Sequence, residues 1–334
     1  MTGTPNDRVL DVRDLSIDID TRYGPARVVD GISLHVGRGE TVGIVGESGC
    51  GKSLTMLSLV GLLPNRIAVS GGAADFDGKD LLKLDRKALR RVRGGRIGFV
   101  FQDPMTSLNP VMRIGDQIAE PLIYHRGMSR AAARQRGVEL LRLVGIPSPE
   151  ERLDAFPHEL SGGMRQRVMI AIVLACNPEL LIADEPTTAL DVTIQAQIVD
   201  LVKGLRRELG MSIVWITHDL ALIAGLVDRV VVLYAGTVVE DAPVDELYAH
   251  PLHPYTQGLL ASIPKLADPA ASHLSSIGGT PPEPGRRPKG CPFAPRCSKA
   301  MAICREVVPR LEAKGGEGHR VACFAVASNE REAA

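Results

Sequence analysis

The octet Gly46-Glu47-Ser48-Gly49-Cys50-Gly51-Lys52-Ser53 fits the phosphate-binding pattern G-x-x-x-x-G-K-[ST] without a mismatch. Glycines let the backbone curl until several N–H groups point inward. The positive end of the following helix dipole adds to them, so a polyphosphate meets preformed donors. In such a loop Lys52 reaches the terminal phosphates and the Ser53 hydroxyl ligates Mg2+. The loop needs a strand before it and a helix after it. Thr41 to Val45 reads as a short buried strand, and Leu54, Leu57, Val60 and Leu62 mark an apolar helix that Pro64 stops.

A second group of chemical residues lies far downstream. Leu180-Leu181-Ile182-Ala183 is a continuous apolar strand followed directly by Asp184-Glu185, two carboxylates at the carboxyl end of a parallel-type strand, where open α/β sheets keep their ligands. Asp184 can hold Mg2+ through water, and Glu185 is placed to orient or deprotonate an attacking water. Ser212 to Thr217 is another buried strand, and it delivers His218, a polar contact for a terminal phosphate, to the same kind of edge. Arg96 to Phe101 is β-rich and ends at Gln102, which can touch a metal or sense a phosphate, or simply be a solvated turn residue. In Leu160-Ser161-Gly162-Gly163-Met164-Arg165-Gln166, Ser161 is a helix N-cap, and the two glycines expose N–H groups to a second anion. Tyr23 suits stacking on a base and packing beside the Gly-Pro turn equally well.

The remaining chain supplies the frame. Alternating apolar residues from Val9 to Ile19 and again at Ile32, Leu34 and Val36 predict antiparallel strands before the phosphate loop. Residues 114–145 carry helical spacings and many arginines, an inserted helical lobe. A helix is expected from about Asp191 to Leu209, closed by Gly210, and a hairpin turns at Ala235-Gly236. At 334 residues and 45% hydrophobic content the chain suits roughly two domains with a real core. Its 39 basic and 39 acidic residues cancel, so no broad positive field recommends nucleic acid or an anionic membrane as main partner. The polar N-terminus lacks a signal core, and the longest apolar run, Val168 to Cys176, is too short to span a bilayer. A soluble, cytoplasmic chain is expected.

The phosphate loop, Gln102, the Leu160-to-Gln166 run, Asp184-Glu185, Ala189-Leu190-Asp191 and His218, in that order, resemble the ATP-binding subunit of ABC transporters across roughly residues 9 to 250. The resemblance implies an α/β P-loop NTPase fold with an antiparallel β subdomain and an inserted helical subdomain at about 104–165, all within a nucleotide-binding domain over 1–250. It implies two such domains dimerising head to tail, with each ATP sandwiched between one phosphate loop and the opposite Ser161-to-Gly163 run. Carried across, Tyr23 stacks on adenine, Gly46 to Leu54 cradle the phosphates, and Ser53 and Gln102 meet Mg2+. Ser161, Gly162 and Gly163 contact the opposite ATP, Asp184 supports Mg2+, Glu185 is the catalytic base and His218 holds the γ-phosphate. Leu54 departs from the commoner threonine, but the Mg2+ ligand is the serine before it.

Within that superfamily, the phosphate loop and the Leu160-to-Val168 run look like the oligopeptide, dipeptide and nickel importer branch. His253-Pro254-Tyr255-Thr256-Gln257-Gly258-Leu259-Leu260, Gly279-Thr280-Pro281-Pro282 and Gly290-Cys291-Pro292-Phe293-Ala294-Pro295-Arg296-Cys297 resemble the C-terminal extension of peptide-permease ATPases, over 251–334. Cys291, Cys297, Cys304 and Cys323 are spaced x5, x6 and x18 among Gly and Pro. Four thiolates can hold Zn2+ or an iron–sulfur cluster. Structural zinc usually brings a tight C-x₂₋₄-C pair, which is lacking, so a loop-borne cluster fits better. The resemblance agrees, since some peptide-permease ATPases carry a [4Fe-4S] cluster on such cysteines.

The implied partners are a second, related but different ATPase, two membrane permease subunits and an extracytoplasmic substrate-binding protein, on the cytoplasmic face of the membrane. Nickel and glutathione remain as solutes beside peptides. A soluble ABC ATPase acting on nucleic acid or ribosomes is disfavoured by a single phosphate loop, no heptad run and zero net charge. A regulatory metal module that merely holds ATP is disfavoured by the presence of Asp184, Glu185 and His218 together.

Overall fold

The computed structural model describes residues 7–103, 107–188, 190–263 and 276–326, in two compact units. One holds Val36–Glu40 and Lys83–Ile216 with the described residues before Leu10; the other holds Leu10–His35, Thr41–Leu82 and the described part of Thr217–Ala334.

In the first unit Ile97–Val100, Leu180–Asp184 and Ser212–Thr217 run parallel, with Ile97 opposite Leu180 and Leu180 opposite Ser212. All three strands are buried along their length, which is why they read as unbroken apolar runs rather than alternating ones. The expected helical lobe is built of Ile114–Arg126 and Arg130–Leu143, the latter capped by the Ser129 hydroxyl, which accepts from the Ala132 N–H. The first residues of the lobe as expected, from Pro104 to Thr106, lie outside the described residues. Val192–Leu209 starts on an Asp191 cap and ends at Gly210 in the left-handed region, as its periodicity and its terminal glycine predict.

An antiparallel sheet, most of whose residues belong to the second unit, runs in the order Gly24–Gly37, Arg8–Thr21, Ile67–Phe76, Lys79–Asp80. A second layer contains Thr41–Val45 parallel to Arg229–Tyr234, with Val42 opposite Arg229 and Val45 opposite Val232. Arg229–Tyr234 returns as Thr237–Pro243 through Ala235 (φ 45°) and Gly236 (φ 76°), the two positive angles of a tight hairpin turn. A Cβ on Gly236 would also run into the Val28 carbonyl and the Arg287 guanidinium, so the turn has room only for glycine.

Two features depart from expectation. The helix after the phosphate loop ends at Leu59, with Val60 as C-cap and Gly61 at φ 63°, before Pro64 is reached. The glycine's left-handed backbone stops the helix first. The extension, expected to be irregular, also contributes a strand. Arg320–Val321 pairs antiparallel with Asp241 and Glu240, and Glu312–Ala313 pairs on its other side. Beneath that pairing the Glu240 carboxylate, fully buried, meets His319 at 2.7 Å and accepts the N–H groups of Leu252 (2.7 Å) and His253 (3.0 Å). Among the described residues no helix is long and apolar enough to cross a membrane.

Candidate functional site

The phosphate loop is shaped by three glycines that no other residue replaces without strain: Gly46 at φ 154°, Gly49 at φ 78° and Gly51 at φ 101°. A Cβ on Gly46 would strike the Leu233 carbonyl, and one on Gly51 would come within 3.0 Å of Val29. Gly51 is the N-cap of the helix Lys52–Leu59 and brings no side chain to cap it, so the first-turn N–H groups face the loop. The ammonium of Lys52 donates to the carbonyls of Gly46 (2.8 Å) and Glu47 (3.1 Å), drawing the loop into a ring around one positive charge. Ser48 and Gly49 are exposed at the rim, and Ser53 and Leu54 are half-buried in the first helical turn. Cys50 is buried, its carbonyl accepts from Gly236 N–H at 2.9 Å, and burial pushes its thiol above the ordinary cysteine range.

Tyr23 is 91% exposed at the turn between the first two strands. The Thr21 hydroxyl ties that turn, donating to the Gly24 carbonyl at 2.7 Å and accepting the Tyr23 N–H at 3.2 Å. The Tyr23 ring is thus exposed to solvent rather than packed within this unit. His218 is also exposed, just before a one-turn helix that Asp219 caps.

In the first unit Asp184 closes its strand 7% exposed. Glu185 then turns the chain at φ 43°, a left-handed backbone that glutamate adopts reluctantly, while its N–H donates to the Ile216 carbonyl at 3.0 Å. Its Oε2 accepts from the Gln102 amide at 3.2 Å and from the Thr188 hydroxyl at 2.9 Å. Gln102 and Glu185 are thus brought together from 83 positions apart. Thr188 was not singled out by the sequence reading. The available signal was a hydroxyl three residues beyond an acid in a turn, a spacing at which side chains reach back.

Ser161 caps the helix Gly162–Leu174 by accepting the Met164 N–H at 3.3 Å, and Ser161 and Gly162 are exposed. Gly163 lies against the helix Val192–Leu209, where a Cβ would come within 2.9 Å of Ile194. Ala189 lies outside the described residues.

The four extension cysteines, read at spacings too open for a zinc knuckle, line one pocket together with Phe293 and Phe324. All are free thiols; three are buried and Cys297 is half-buried. Burial pushes the thiols of Cys291 and Cys297 up, against the backbone amides that bond them. The Met301 N–H donates to the Cys304 sulfur at 3.5 Å. Among the described residues no group of three or more His, Cys, Asp or Glu side chains stands in metal-holding geometry. The donor set, four thiols with amides directed at sulfur, is nonetheless the chemistry of a thiolate-bound centre. His253 lines the same pocket; its Nδ1 accepts the Tyr255 N–H at 3.1 Å, and burial pushes its pKa down to about 4, so the imidazole is neutral.

A glycine loop closed on a buried lysine, an acidic pair at the end of a parallel strand and an antiparallel sheet define an ABC-type P-loop ATPase. Residues 29–188 match the family model described as ABC transporter, and residues 239–304 match that of the oligopeptide/dipeptide transporter C-terminal region. The chain belongs to the oligopeptide/dipeptide family of ABC transporter ATP-binding subunits. It is 53% identical over 305 residues to the oligopeptide transport ATP-binding protein OppD of Bacillus subtilis (strain 168), covering 91% of this chain and 85% of that one. It is 48% identical over 319 residues to the dipeptide transport ATP-binding protein DppD of the same organism, covering 95% of each. Among solved structures it is similar to a dimeric ATP-binding cassette in a post-hydrolysis state bound to ADP and Pi, with TM-score 0.63, 32% identity and coverage of 70% of this chain and 98% of that one. It is also similar to cbiO1 from Clostridium perfringens, part of the ABC transporter complex cbiONQ, with TM-score 0.62, 31% identity and coverage of 73% and 92%.

Proposed function

We propose that this chain hydrolyses ATP to drive import of dipeptides or oligopeptides through a membrane permease. The observation that carries the reading is the joint presence, on one chain, of the ABC core and the oligopeptide/dipeptide C-terminal region. The domain division that goes with it is a nucleotide-binding domain over 1–250, its helical subdomain at about 104–165, and the peptide-permease extension over 251–334. The partners are a related but different ATPase, two permease subunits and an external binding protein, with this chain peripheral on the cytoplasmic face.

In this mechanism Tyr23 stacks on the adenine, the loop from Gly46 to Leu54 cradles the phosphates and Lys52 meets the terminal ones. His218 steadies the γ-phosphate, and Ser161, Gly162 and Gly163 close on the ATP of the opposite subunit. The hard oxygen donors of Ser53, Gln102 and Asp184 suit Mg2+, which when bound neutralises charge on the phosphates. Glu185 takes a proton from water as the water oxygen bonds to the γ-phosphorus and the bond to the bridging oxygen breaks, releasing ADP and phosphate. The Gln102 amide and the Thr188 hydroxyl aim the Glu185 carboxylate. Cys291, Cys297, Cys304 and Cys323 hold a [4Fe-4S] cluster, with Zn2+ as the alternative. Iron and sulfide analysis of anaerobically purified protein tests this, and zinc without iron overturns it.

The transport reading is tested by purifying the protein with its membrane partners, reconstituting it with the cognate binding protein and assaying ATPase activity against peptides, Ni2+ and glutathione. Stimulation by short peptides is expected. Stimulation by Ni2+ or glutathione alone replaces the solute, and failure of any membrane subunit to copurify overturns the transporter assignment.

A further inference from the structure

Beyond its cysteines, the extension reaches the phosphate loop through Arg296, the residue before Cys297. Arg296 sits in the short 3-10 turn Ala294–Arg296 and is 5% exposed at its side chain. Its guanidinium forks onto the second residue of the phosphate loop, Nη1 donating to one Glu47 carboxylate oxygen at 2.6 Å and Nη2 to the other at 2.9 Å. The fork is itself fixed. Nε donates to the Gly278 carbonyl at 2.8 Å, Nη2 to the Ile277 carbonyl at 3.2 Å and Nη1 to the Tyr234 hydroxyl at 3.2 Å. The guanidinium also stands 5.7 Å from the Tyr234 ring centre and 6.0 Å from that of Phe293. A second hold comes from Tyr255, whose buried hydroxyl accepts the Glu47 N–H at 2.8 Å. Tyr234, Tyr255 and Phe293 pack ring to ring within 5.4 Å, so the hairpin, the helix Pro254–Ala261 and the cysteine loop converge on one loop residue.

The arrangement has an electrostatic purpose. Glu47 puts a carboxylate into a loop built to receive a polyanion, and the loop's own cation, Lys52, is turned to the carbonyls of Gly46 and Glu47. A carboxylate left to itself there repels phosphate. Resting on the reading of the loop as the ATP site, we propose that Arg296 is a positioning and charge-compensating residue of that site. It grips both oxygens of Glu47, holds the carboxylate off the phosphates and cancels its charge, so that the extension forms part of the nucleotide site. A bidentate arginine is suited to this because it fixes direction as well as charge, which a lysine at the same place does not.

The test is ATP affinity, measured by equilibrium binding on the full chain with melting temperature recorded for each variant. Lys52→Ala is run first: if it binds ATP as the wild type does, the phosphate-loop reading fails, independently of Arg296. With that reading intact, Arg296→Met is expected to raise the Kd for ATP about tenfold, the scale of one uncompensated charge about 10 Å away at a near-surface dielectric. Glu47→Gln added to Arg296→Met is expected to bring the Kd back to within about threefold of wild type, because the net charge beside the loop is restored. A purely structural clamp predicts the opposite, further loss in the double variant. Wild-type affinity in Arg296→Met, or a double variant weaker than the single, overturns the proposal. Should Arg296→Met not fold, Glu47→Gln alone decides. Compensation expects it to bind ATP at least as tightly as wild type, and weaker binding overturns the proposal.

Discussion

Glu47 follows the strand Thr41–Val45 and Glu185 follows the strand Leu180–Asp184, so both leave the carboxyl ends of buried parallel strands. They are held differently. Glu47 has an arginine fork on both oxygens and a tyrosine on its N–H. Glu185 accepts an amide and a hydroxyl, both at Oε2, from a backbone in the left-handed region. A fork onto a charged partner fixes direction and compensates charge together. An amide and a hydroxyl aim a carboxylate without supplying a formal positive charge, which suits the general-base role proposed for Glu185. On the proposed mechanism the two glutamates are divided, Glu47 into the shape of the site and Glu185 into its chemistry.

The sharpest way to break that division is Glu185→Gln. The amide preserves size and can still lie beside Gln102 and Thr188, but it cannot take the proton. ATP turnover is expected to fall by about 10²–10⁴-fold, the scale of a lost general base, while ATP still binds. Unchanged hydrolysis in a steady-state assay would remove Glu185 from the mechanism.

A smaller effect sharpens the same comparison. Thr188→Val keeps the shape of the side chain and deletes the hydroxyl bond to Glu185. The expected loss is about tenfold in kcat, the rate equivalent of one hydrogen bond to a charged group at an exposed position, with little change in KM. Thr188→Ser should recover most of it. A rise in KM at constant kcat would mean that Thr188 serves nucleotide binding rather than the aim of Glu185.

How far these residues were legible follows from how local their causes are. The phosphate loop, the strand before it, the Ser161 cap and the Gly210 stop are set by neighbours within a turn, so pattern alone finds them. The helix ends at Leu59 rather than at Pro64 because Gly61, a less visible signal than a proline, takes the left-handed backbone first. Arg320–Val321 was missed because two residues carry no period, and only pairing with Glu240 and Asp241 makes them a strand. Arg296 stands in the sequence inside a cysteine run, with nothing to mark it as a partner of Glu47. The two are 249 positions apart, and they meet where Phe293 packs on Tyr234 and Tyr255 and the carbonyls of Ile277 and Gly278 hold the guanidinium.

Tyr255 offers the mildest test of the Glu47 side. Its ring is fully buried against Tyr234 at 4.7 Å, and burial pushes its hydroxyl well above the ordinary tyrosine range, so it stays protonated and neutral. Tyr255→Phe leaves that ring packing in place and removes only the acceptor for the Glu47 N–H. The N–H is left facing an apolar edge, at an expected stability cost of about 1 kcal/mol, or a melting temperature lower by about 2–4 °C for a unit of this size. ATP affinity should weaken only a few-fold, because the Arg296 fork still compensates the carboxylate. If Tyr255→Phe weakens ATP binding more than Arg296→Met does, backbone placement rather than charge is what the extension contributes to the loop. The shaping of Glu47 would then be a matter of hydrogen-bond geometry, as it is for Glu185, and the contrast between the two glutamates would narrow to their chemistry.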